Sequence, residues 1–217
     1  MQPMSTFAPH TPPTSASAWI EQWAHLVDAG GAVLDVASGN GRHARYFASR
    51  GHAVLALDRD AAALANLDGV AHVTTRQADL ENASWPLAPD EKFAAVVVTN
   101  YLHRPLFPYL VDALAPGGVL LYETFAAGNE RYGRPSNPAF LLNPGELLEL
   151  AKGTSGTSGT SGANGPLRVI AYQDGFISVP RASCVQRICA VREAFAPQAG
   201  ITGRNNEAGP DRYVLPG

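Results

Sequence analysis

A glycine-rich turn between two hydrophobic segments constrains the fold of this chain more than any other feature. Residues 34–58 read LDVASGNGRHARYFASRGHAVLALD, and the turn in this stretch holds Gly39 and Gly41. The apolar segments on either side predict buried strands, and residues 42–50 between them have the apolar spacing of a helix. Parallel strands need a crossover connection, so the stretch predicts a βαβ unit that ends on Asp58.

The same alternation continues along the chain. The pattern predicts helices at 19–27, 42–50, from 60 onward, 106–114 and 143–150, and strands at 32–37, 53–58, 72–79, 93–100, 118–125, 167–173 and 183–192. The last two strands have no helix between them and must pair antiparallel. We therefore predict one α/β domain with a doubly wound, Rossmann-like, seven-stranded and mostly parallel sheet that ends in an antiparallel hairpin.

Glycines and capping residues predict where the helices begin and end. The first helix is expected to end at the Gly-Gly pair 30–31. The helix after the fourth strand is expected to extend to Leu114, before Pro-Gly-Gly at 116–118 closes it. In the last helix Asn143 is the expected N-cap, and Glu146 is its partner in a capping box.

Composition indicates one globular domain without a strongly charged surface. The chain has 217 residues, of which 46% are hydrophobic and 16% charged, enough to bury a full core. Its formal net charge of -3 argues against a nucleic-acid partner. We expect a disordered segment at 1–15, the domain at 16–193 with a flexible TSG-repeat loop at 154–162, and a C-terminal tail at 194–217.

The absence of targeting signals indicates the cytoplasm, and the spacing of the two cysteines indicates core residues. The N-terminal residues lack the charged and apolar regions of a secretion signal, and no later run reaches the roughly 20 apolar residues that cross a bilayer. Cys184 and Cys189 lie five apart in a predicted strand, so their side chains point to opposite faces. We expect a cytoplasmic protein with no membrane segment, disulfide or metal site.

The glycine-rich turn predicts a nucleotide-like ligand. In open α/β sheets, ligands bind at the carboxyl ends of the strands, where the chain order reverses. Gly39 and Gly41 let a ligand approach the backbone, and Asp58 is placed to accept hydrogen bonds from a ribose. Residues 39–44 also satisfy the pattern G-x-G-x-x-G/A, so an NAD(P)-dependent oxidoreductase is an alternative.

Three features favour S-adenosylmethionine over a dinucleotide. Asp35 lies on the first strand two residues before the turn, where it can reach the amino-acid part of that cofactor. Asp79 ends the third strand and offers a polar group to the adenine end. The antiparallel hairpin closes the sheet. A non-catalytic module that binds the cofactor is a further alternative.

The chain from residue 17 to about residue 193 resembles the class I S-adenosylmethionine-dependent methyltransferases. The first motif of that family reads approximately D-x-G-x-G-x-G, and Asp35, Ala37, Gly39 and Gly41 occupy these positions. Ala37 departs from the motif, and we expect it to have an ordinary backbone conformation.

The resemblance implies which residues bind the cofactor. It implies that Asp58 holds the ribose and that Asp79 and Leu80 flank the adenine. Residues 100–125 and 128–138 are further similar to the branch related to tellurite-resistance methyltransferases. The complete implied set is Asp35, Ala37, Ser38, Gly39, Asn40, Gly41, Asp58, Arg59, Asp79, Leu80 and Asn100.

Polar residues near the ends of the fourth and fifth strands are the catalytic candidates. Tyr101 and His103 follow the strand that, by the resemblance, faces the transferable methyl group. Glu123 interrupts an apolar strand, and a buried unpaired carboxylate is costly, so it either faces the cleft or pairs with an arginine such as Arg131. We expect His43 to be a surface residue.

These candidates predict the class of methyl acceptor. Together with Arg131 and Arg134, which belong to a loop that is either a substrate lid or an ordinary surface loop, they suit a small polar or anionic molecule. The expected function is methyl transfer from S-adenosylmethionine to such a small-molecule acceptor.

Overall fold

The structure, a computed structural model, describes residues 15–152 and 167–193. Apart from Ser15, the predicted disordered start, the TSG-repeat loop and the C-terminal tail lie outside these residues. The helices are α1 (Ala18–Trp23), α2 (Arg42–Ala48), α3 (Ala61–Ala65), α4 (Phe107–Asp112) and α5 (Glu146–Lys152). The strands are β1 (Val33–Val36), β2 (Val54–Asp58), β3 (Val73–Gln77), β4 (Phe93–Thr99), β5 (Leu114–Phe125), β6 (Arg168–Ile177) and β7 (Ser183–Val191).

The strands form one seven-stranded sheet in the order β3-β2-β1-β4-β5-β7-β6. The first five strands in this order are parallel, and β7 lies antiparallel between β5 and β6. The predicted doubly wound sheet with a terminal antiparallel hairpin is therefore confirmed. Because β2 and β4 lie on opposite sides of β1, the chain order reverses between β1 and β4, where sheets of this type open a crevice for ligands.

Helices cover both faces of the central strands, and the alternation of side chains divides the core into two. Leu34 and Val98 belong to the core cluster that includes apolar residues of α4 and α5. Val33 and Val97 belong to the cluster on the opposite face, which includes residues of α1 and α2. Burial on both faces explains why these strands are continuous hydrophobic runs in the sequence.

The Pro-Gly-Gly sequence interrupts a strand instead of closing a helix, so the predicted extent of α4 is wrong. The helix ends before Leu114, which is the first residue of β5 and pairs with β4. Regular pairing with β4 then breaks over residues 115–118 and resumes at Val119. The amide of Gly117 donates a hydrogen bond to the carbonyl of Arg192, the residue after β7, and this bond holds residues 115–118 in place.

The first helix ends earlier, and the last helix begins later, than the sequence predicts. α1 ends at Trp23 and continues as a 3-10 turn at Ala24–Leu26, before the Gly-Gly pair is reached. α5 begins at Glu146. The Glu146 carboxylate accepts a hydrogen bond from the Asn143 amide (2.8 Å), which is one half of the predicted capping box.

Both cysteines are free; Cys189 is buried, as expected of a core residue, whereas Cys184 is only half-buried. None of the helices in the described part of the chain is both long enough and apolar enough to cross a membrane.

The start of α2 packs directly against Leu67, in the turn that follows α3. Gly41 is the N-cap of α2 and has a φ of +73°, a conformation that side chains disfavour. A Cβ atom at this position would lie 2.4 Å from Cδ2 of Leu67, a residue that is only 1% exposed. Gly41 is therefore required by packing as well as by backbone conformation.

This packing predicts different costs for the two glycines of the turn. Gly41→Ala should lower the free energy of unfolding by about 2 to 4 kcal/mol, because left-handed strain adds to overpacking against Leu67. Gly39→Ala should cost only the strain, about 1 kcal/mol, because a Cβ there would have no heavy atom within 4 Å. Urea unfolding of both variants without ligand measures the difference, and equal losses would contradict this explanation.

Candidate active site

A cavity of about 250 Å³ lies at the carboxyl ends of the parallel strands. Six residues of the predicted cofactor set line it, together with Tyr101 from the catalytic candidates. The sheet brings them together because they lie at the ends of four adjacent parallel strands, β3, β2, β1 and β4. The lining residues are Ala37, Asp58, Arg59, Ala78, Asp79, Leu80, Glu81, Asn100 and Tyr101.

Asp58, the last residue of β2, ties the glycine-rich turn to the start of α3. Its Oδ2 accepts a hydrogen bond from the Gly39 amide (2.7 Å), and its Oδ1 accepts one from the Asp60 amide (2.9 Å). An ionised carboxylate has about four lone-pair sites, so about two remain for the hydroxyl groups of a ligand. Because the space beside the Gly39 α-carbon is open, a ligand could approach the backbone closely there.

Two residues without the freedom of glycine have left-handed backbone conformations beside the cavity. The φ angles are +52° at Ala37 and +54° at Asn100. The expectation of an ordinary conformation at Ala37 is therefore wrong, since the turn keeps the left-handed geometry at this position. The strain at Ala37 costs about 1 to 2 kcal/mol, whereas asparagine tolerates this region better. Strained backbone of this kind concentrates at functional sites.

Carboxylates and one phenol form the other wall of the cavity. Asp79 accepts hydrogen bonds from the side chain and amide of Asn82 and from the amide of Glu81, and the side-chain bond contributes most to lowering its pKa. The Tyr101 hydroxyl is buried without a hydrogen-bond partner in the described residues. Burial, followed by the charges of Glu81 and Asp79, raises the pKa of Tyr101. The phenol therefore stays protonated and can donate to a ligand.

The rest of the predicted cofactor set lies around the turn, outside the cavity lining. The Asn40 side chain accepts a hydrogen bond from Asn66 (3.0 Å), and the buried Ser38 hydroxyl has no hydrogen-bond partner among the described residues. Asp35 accepts one from the Ala44 amide (3.0 Å), which holds the first turn of α2 against β1.

Asp35 is the most deeply buried carboxylate of the site, with 1% of the residue exposed. Burial raises its pKa from 3.8 to about 7, against smaller lowering effects of the Ala44 amide and the Arg42 charge. The Asp35 carboxyl group therefore changes between its protonated and ionised forms near neutral pH.

A second group of polar side chains lies at the same edge of the sheet, on the face that α1 covers. Strand register pairs Thr99 with Glu123 and Glu123 with Arg187, so three adjacent strands contribute to one row. Glu123 is 8% exposed, and its Oε2 lies 2.7 Å from Nε of Arg187. The N–H of Arg187 makes no hydrogen bond to this oxygen, so the contact is an ion pair. The arginine partner of Glu123 is thus Arg187, whereas Arg131 is exposed.

His43 lies beside this row, so its predicted surface position is wrong. Only 2% of the residue is exposed. Its Nε2 accepts a hydrogen bond from the Ser17 amide (3.2 Å), and its Nδ1 lies 3.3 Å from Oγ1 of Thr99. Burial is the main cause that lowers the pKa of His43 to about 3, so the ring is neutral.

The structure separates the catalytic candidates. Tyr101 lines the cavity, whereas Glu123 belongs to the buried row under α1. His103 is half-buried at the start of a 3-10 turn, and its imidazole makes no hydrogen bond with the described residues. Arg131 and Arg134 are exposed.

Five site residues were missed by the sequence reasoning. The strand pattern contained one usable signal, because Arg187 interrupts an apolar strand just as Glu123 does. Arg42 is half-buried, and its pKa is lowered by burial although the charges of Glu123 and Asp35 oppose this effect. The missed residues are Ala78 and Glu81 of the cavity, and Ser17, Arg42 and Arg187 near the buried row.

The residues present fit an adenosyl ligand. Asp58 has unused acceptor sites, and the buried hydroxyls of Ser38 and Tyr101 lack partners that a polar ligand could supply. Across 15–152 and 167–193, no cluster of three or more His, Cys, Asp or Glu residues could hold a metal ion.

Comparison with known proteins agrees with this geometry. A family model described as a methyltransferase domain matches residues 33–118, from the start of β1 into β5. The match therefore includes the glycine-rich turn, Asp58, Asp79 and Tyr101. A search of curated proteins found no match.

Solved structures of S-adenosylmethionine-dependent methyltransferases share the fold. TehB from Haemophilus influenzae has a TM-score of 0.61 at 17% identity, over 78% of this chain and 60% of TehB. A TehB-like S-adenosylmethionine-dependent methyltransferase from Corynebacterium glutamicum has a TM-score of 0.56 at 17% identity, over 81% and 87%. The glycopeptide N-methyltransferase MtfA in complex with S-adenosyl-L-homocysteine has a TM-score of 0.53 at 19% identity, over 80% and 88%.

The raised pKa of Asp35 predicts a pH-dependent stability. Ionisation of Asp35 is less favourable in the folded than in the unfolded chain. The contribution of Asp35 to the free energy of unfolding is therefore fully present below pH 3.8 and is lost as the pH rises towards 7. Between pH 4.5 and 7.5 the free energy of unfolding of the wild type should fall by about 3 kcal/mol relative to that of Asp35→Asn, whose side chain can still accept the hydrogen bond from the Ala44 amide. Urea unfolding of both proteins at both pH values tests this, and parallel pH profiles would contradict it.

Proposed function

We propose that this chain is an S-adenosylmethionine-dependent methyltransferase and that it transfers the methyl group of its cofactor to a small polar or anionic acceptor. The observation that carries the proposal is the cavity at the carboxyl ends of the strands, where Asp58, Asp79 and Tyr101 meet beside the open backbone of Gly39. The segment matched by the methyltransferase family model contains all four residues.

The chain would hold the cofactor through groups at both ends of the turn. Asp58 has free acceptor sites for the ribose, and Asp79 and Leu80 offer a polar and an apolar contact to the adenine. Asp35 and Arg42 would serve the charged amino-acid part, because one can be an anion and the other is a cation. When bound, S-adenosylmethionine supplies a methyl group on a positively charged sulfur for in-line displacement.

The main catalytic contribution of the protein is orientation. Well-oriented reacting groups reach effective molarities of roughly 10⁵ to 10⁸ M, so holding a nucleophile on the methyl axis accounts for most of the rate. Asn100 and Tyr101 follow the fully covered strand β4, which makes their positions rigid. We propose that Tyr101 and His103 contact the acceptor.

The charges near the sheet edge support an anionic acceptor. Arg187 forms an ion pair with Glu123, and Arg42 interacts electrostatically with both Glu123 and Asp35. When Asp35 is protonated, below its pKa of about 7, two guanidinium groups accompany one carboxylate. A local excess of positive charge attracts an anion.

The protonation state of the acceptor decides whether a base is required. An anionic nucleophile needs none, whereas a hydroxyl group must lose a proton. His103 is the group we propose for this step, because its imidazole has no hydrogen-bond partner in the described residues. The Glu123 carboxylate is occupied by Arg187 and Ser17, so we propose that it fixes the charges beside the acceptor.

Ligand binding separates this function from that of an oxidoreductase. S-adenosyl-L-homocysteine should raise the melting temperature, since a ligand at 100 times its dissociation constant adds about 2.7 kcal/mol of stability. NADH should not stabilise the protein. Stabilisation by NADH alone would overturn the cofactor assignment.

A transfer assay tests the acceptor class. S-adenosylmethionine with a labelled methyl group should yield saturable methylation of one or more members of a panel of thiolates, phenolates, carboxylates and chalcogen oxyanions. Saturable methylation of RNA, with none of the small molecules modified, would overturn the proposed acceptor.

The unused acceptor sites of Asp58 predict the effect of removing its carboxylate. Asp58→Ala should weaken binding of S-adenosyl-L-homocysteine by about 1 to 3 kcal/mol, which is about fivefold to a hundredfold in Kd. Asp60→Ala is the matched control, because Asp60 caps α3 through the amides of Ala62 and Ala63 and does not line the cavity. It should lower stability and leave Kd unchanged in calorimetry. Equal affinities of wild type and Asp58→Ala would refute the role of Asp58.

Kinetics of two variants distinguish the proposed roles of His103 and Glu123. With a hydroxyl or amine acceptor, His103→Ala should reduce kcat by about 10² to 10⁴-fold, whereas with an anionic acceptor the reduction should be modest. Glu123→Gln should change the acceptor KM more than kcat, and should lower the KM of an anionic acceptor, because Arg187 is then no longer balanced by a carboxylate. Full activity of both variants would remove both residues from the mechanism.

A further inference from the structure

The row of polar side chains under α1 is an exception on an apolar face of the sheet. Val97 of β4, Leu121 of β5 and Cys189 of β7 have exposures of 0% and belong to the core cluster that includes α1. On the same face, but two positions closer to the carboxyl edge, the strands carry Thr99 and Glu123 in place of such apolar side chains. Buried polar groups require partners, so something outside the sheet must satisfy this row.

Two residues outside the sheet supply these partners. The hydroxyl of Ser17 donates to Oε1 of Glu123 (3.0 Å), and His43 lies beside Oγ1 of Thr99 (3.3 Å). Ser17 and His43 are also bonded to each other, through the Ser17 amide and the His43 Nε2 (3.2 Å). The hydrogen bonds therefore run continuously from β5 through the start of α1 and α2 to β4.

The direction of these bonds fixes the state of the imidazole. Nε2 of His43 accepts a hydrogen bond from a backbone amide and must carry a lone pair, so the proton of the neutral ring is on Nδ1. That proton is donated to Oγ1 of Thr99. A protonated imidazole could not accept from Ser17, so this arrangement requires the neutral ring.

The first turn of α1 depends on the same contacts. Ser17 is the N-cap of α1, and its hydroxyl oxygen also accepts a hydrogen bond from the Trp19 amide (3.2 Å). The Trp19 ring lies 5.9 Å from the guanidinium carbon of Arg187, and its indole N–H donates to the carbonyl of Ile188 (3.4 Å). Residues 15–19 therefore contact β5 and β7 directly and reach β4 through His43.

We propose that His43 is a positioning residue that holds residues 15–19 over the carboxyl ends of β4 and β5, and over the neighbouring Arg187 of β7, as one wall of the ligand site. Thr99, its partner, immediately precedes Asn100 of the cavity lining. Arg42, the preceding residue, donates to the carbonyl of Ser15 (3.5 Å), so α2 contacts the same segment twice. This role rests on the proposed binding of S-adenosylmethionine at the cavity.

The variant His43→Phe tests the proposal because it keeps the bulk of the ring and removes both hydrogen bonds. Amide hydrogen exchange at Ser17 and Trp19 should become about threefold to tenfold faster, the effect of one lost hydrogen bond. The Kd for S-adenosyl-L-homocysteine should rise by a similar factor, because a smaller fraction of the protein has the wall in place. His43→Gln can accept from Ser17 and should recover most of both effects.

His52→Phe is the matched control. His52 is 5% exposed and follows α2, but its hydrogen bond goes to the carbonyl of Gly31, before the amino end of β1. It should lower global stability while leaving both the exchange at Ser17 and the affinity for S-adenosyl-L-homocysteine unchanged. If His43→Phe fails to fold, Ser17→Ala removes the bond to Glu123 from the other side and should produce the same two changes.

Two outcomes would overturn the proposal. One is unchanged exchange at Ser17 in His43→Phe; the other is faster exchange with an unchanged Kd, which would make the contact purely structural. If the wild type does not bind S-adenosyl-L-homocysteine at all, the proposed function fails, and the exchange measurement still reports separately on the hydrogen bonds of His43.

Discussion

The hydrogen bond between the Gly39 amide and the Asp58 carboxylate is the interaction on which the site depends. It joins the turn after β1 to the end of β2, and the second oxygen of Asp58 joins both to the start of α3. A charged acceptor makes such bonds stronger than those between neutral groups. The turn is therefore held in one conformation while Asp58 keeps free acceptor sites towards the cavity.

A different set of hydrogen bonds holds the opposite end of the site. There the packing of α1 on the sheet is extended by the hydrogen bonds of Ser17 and His43 to a buried polar row. Because an unsatisfied buried polar group costs about 1 to 3 kcal/mol, Glu123 favours one position of the N-terminal segment. The carboxyl edge thus combines an open cavity lined by carboxylates with a closed region under α1, in which Glu123 pairs with Arg187.

Side-chain periodicity predicted the fold because the central strands are buried on both faces and the helices on one. The periodicity failed where backbone pairing determines the secondary structure. Leu114 continues the helical pattern, yet it pairs with Phe93 and is the first residue of β5. It also failed at Ala37, whose left-handed conformation is imposed by the turn and is disfavoured by alanine itself. Local sequence preference is weak compared with such tertiary constraints.

The sequence by itself determined the order of elements and the placement of Asp58, Asp79 and Tyr101 after successive parallel strands, because parallel crossovers carry all carboxyl ends to one edge. Only the tertiary structure decided which side chains pair across that edge. Arg187 lies 64 positions after Glu123 and becomes its neighbour through an antiparallel hairpin. His43 is buried because the residues that begin α1, which are distant in the sequence, pack over the start of α2. Contacts between distant segments depend on packing and register, which no local spacing of residues encodes.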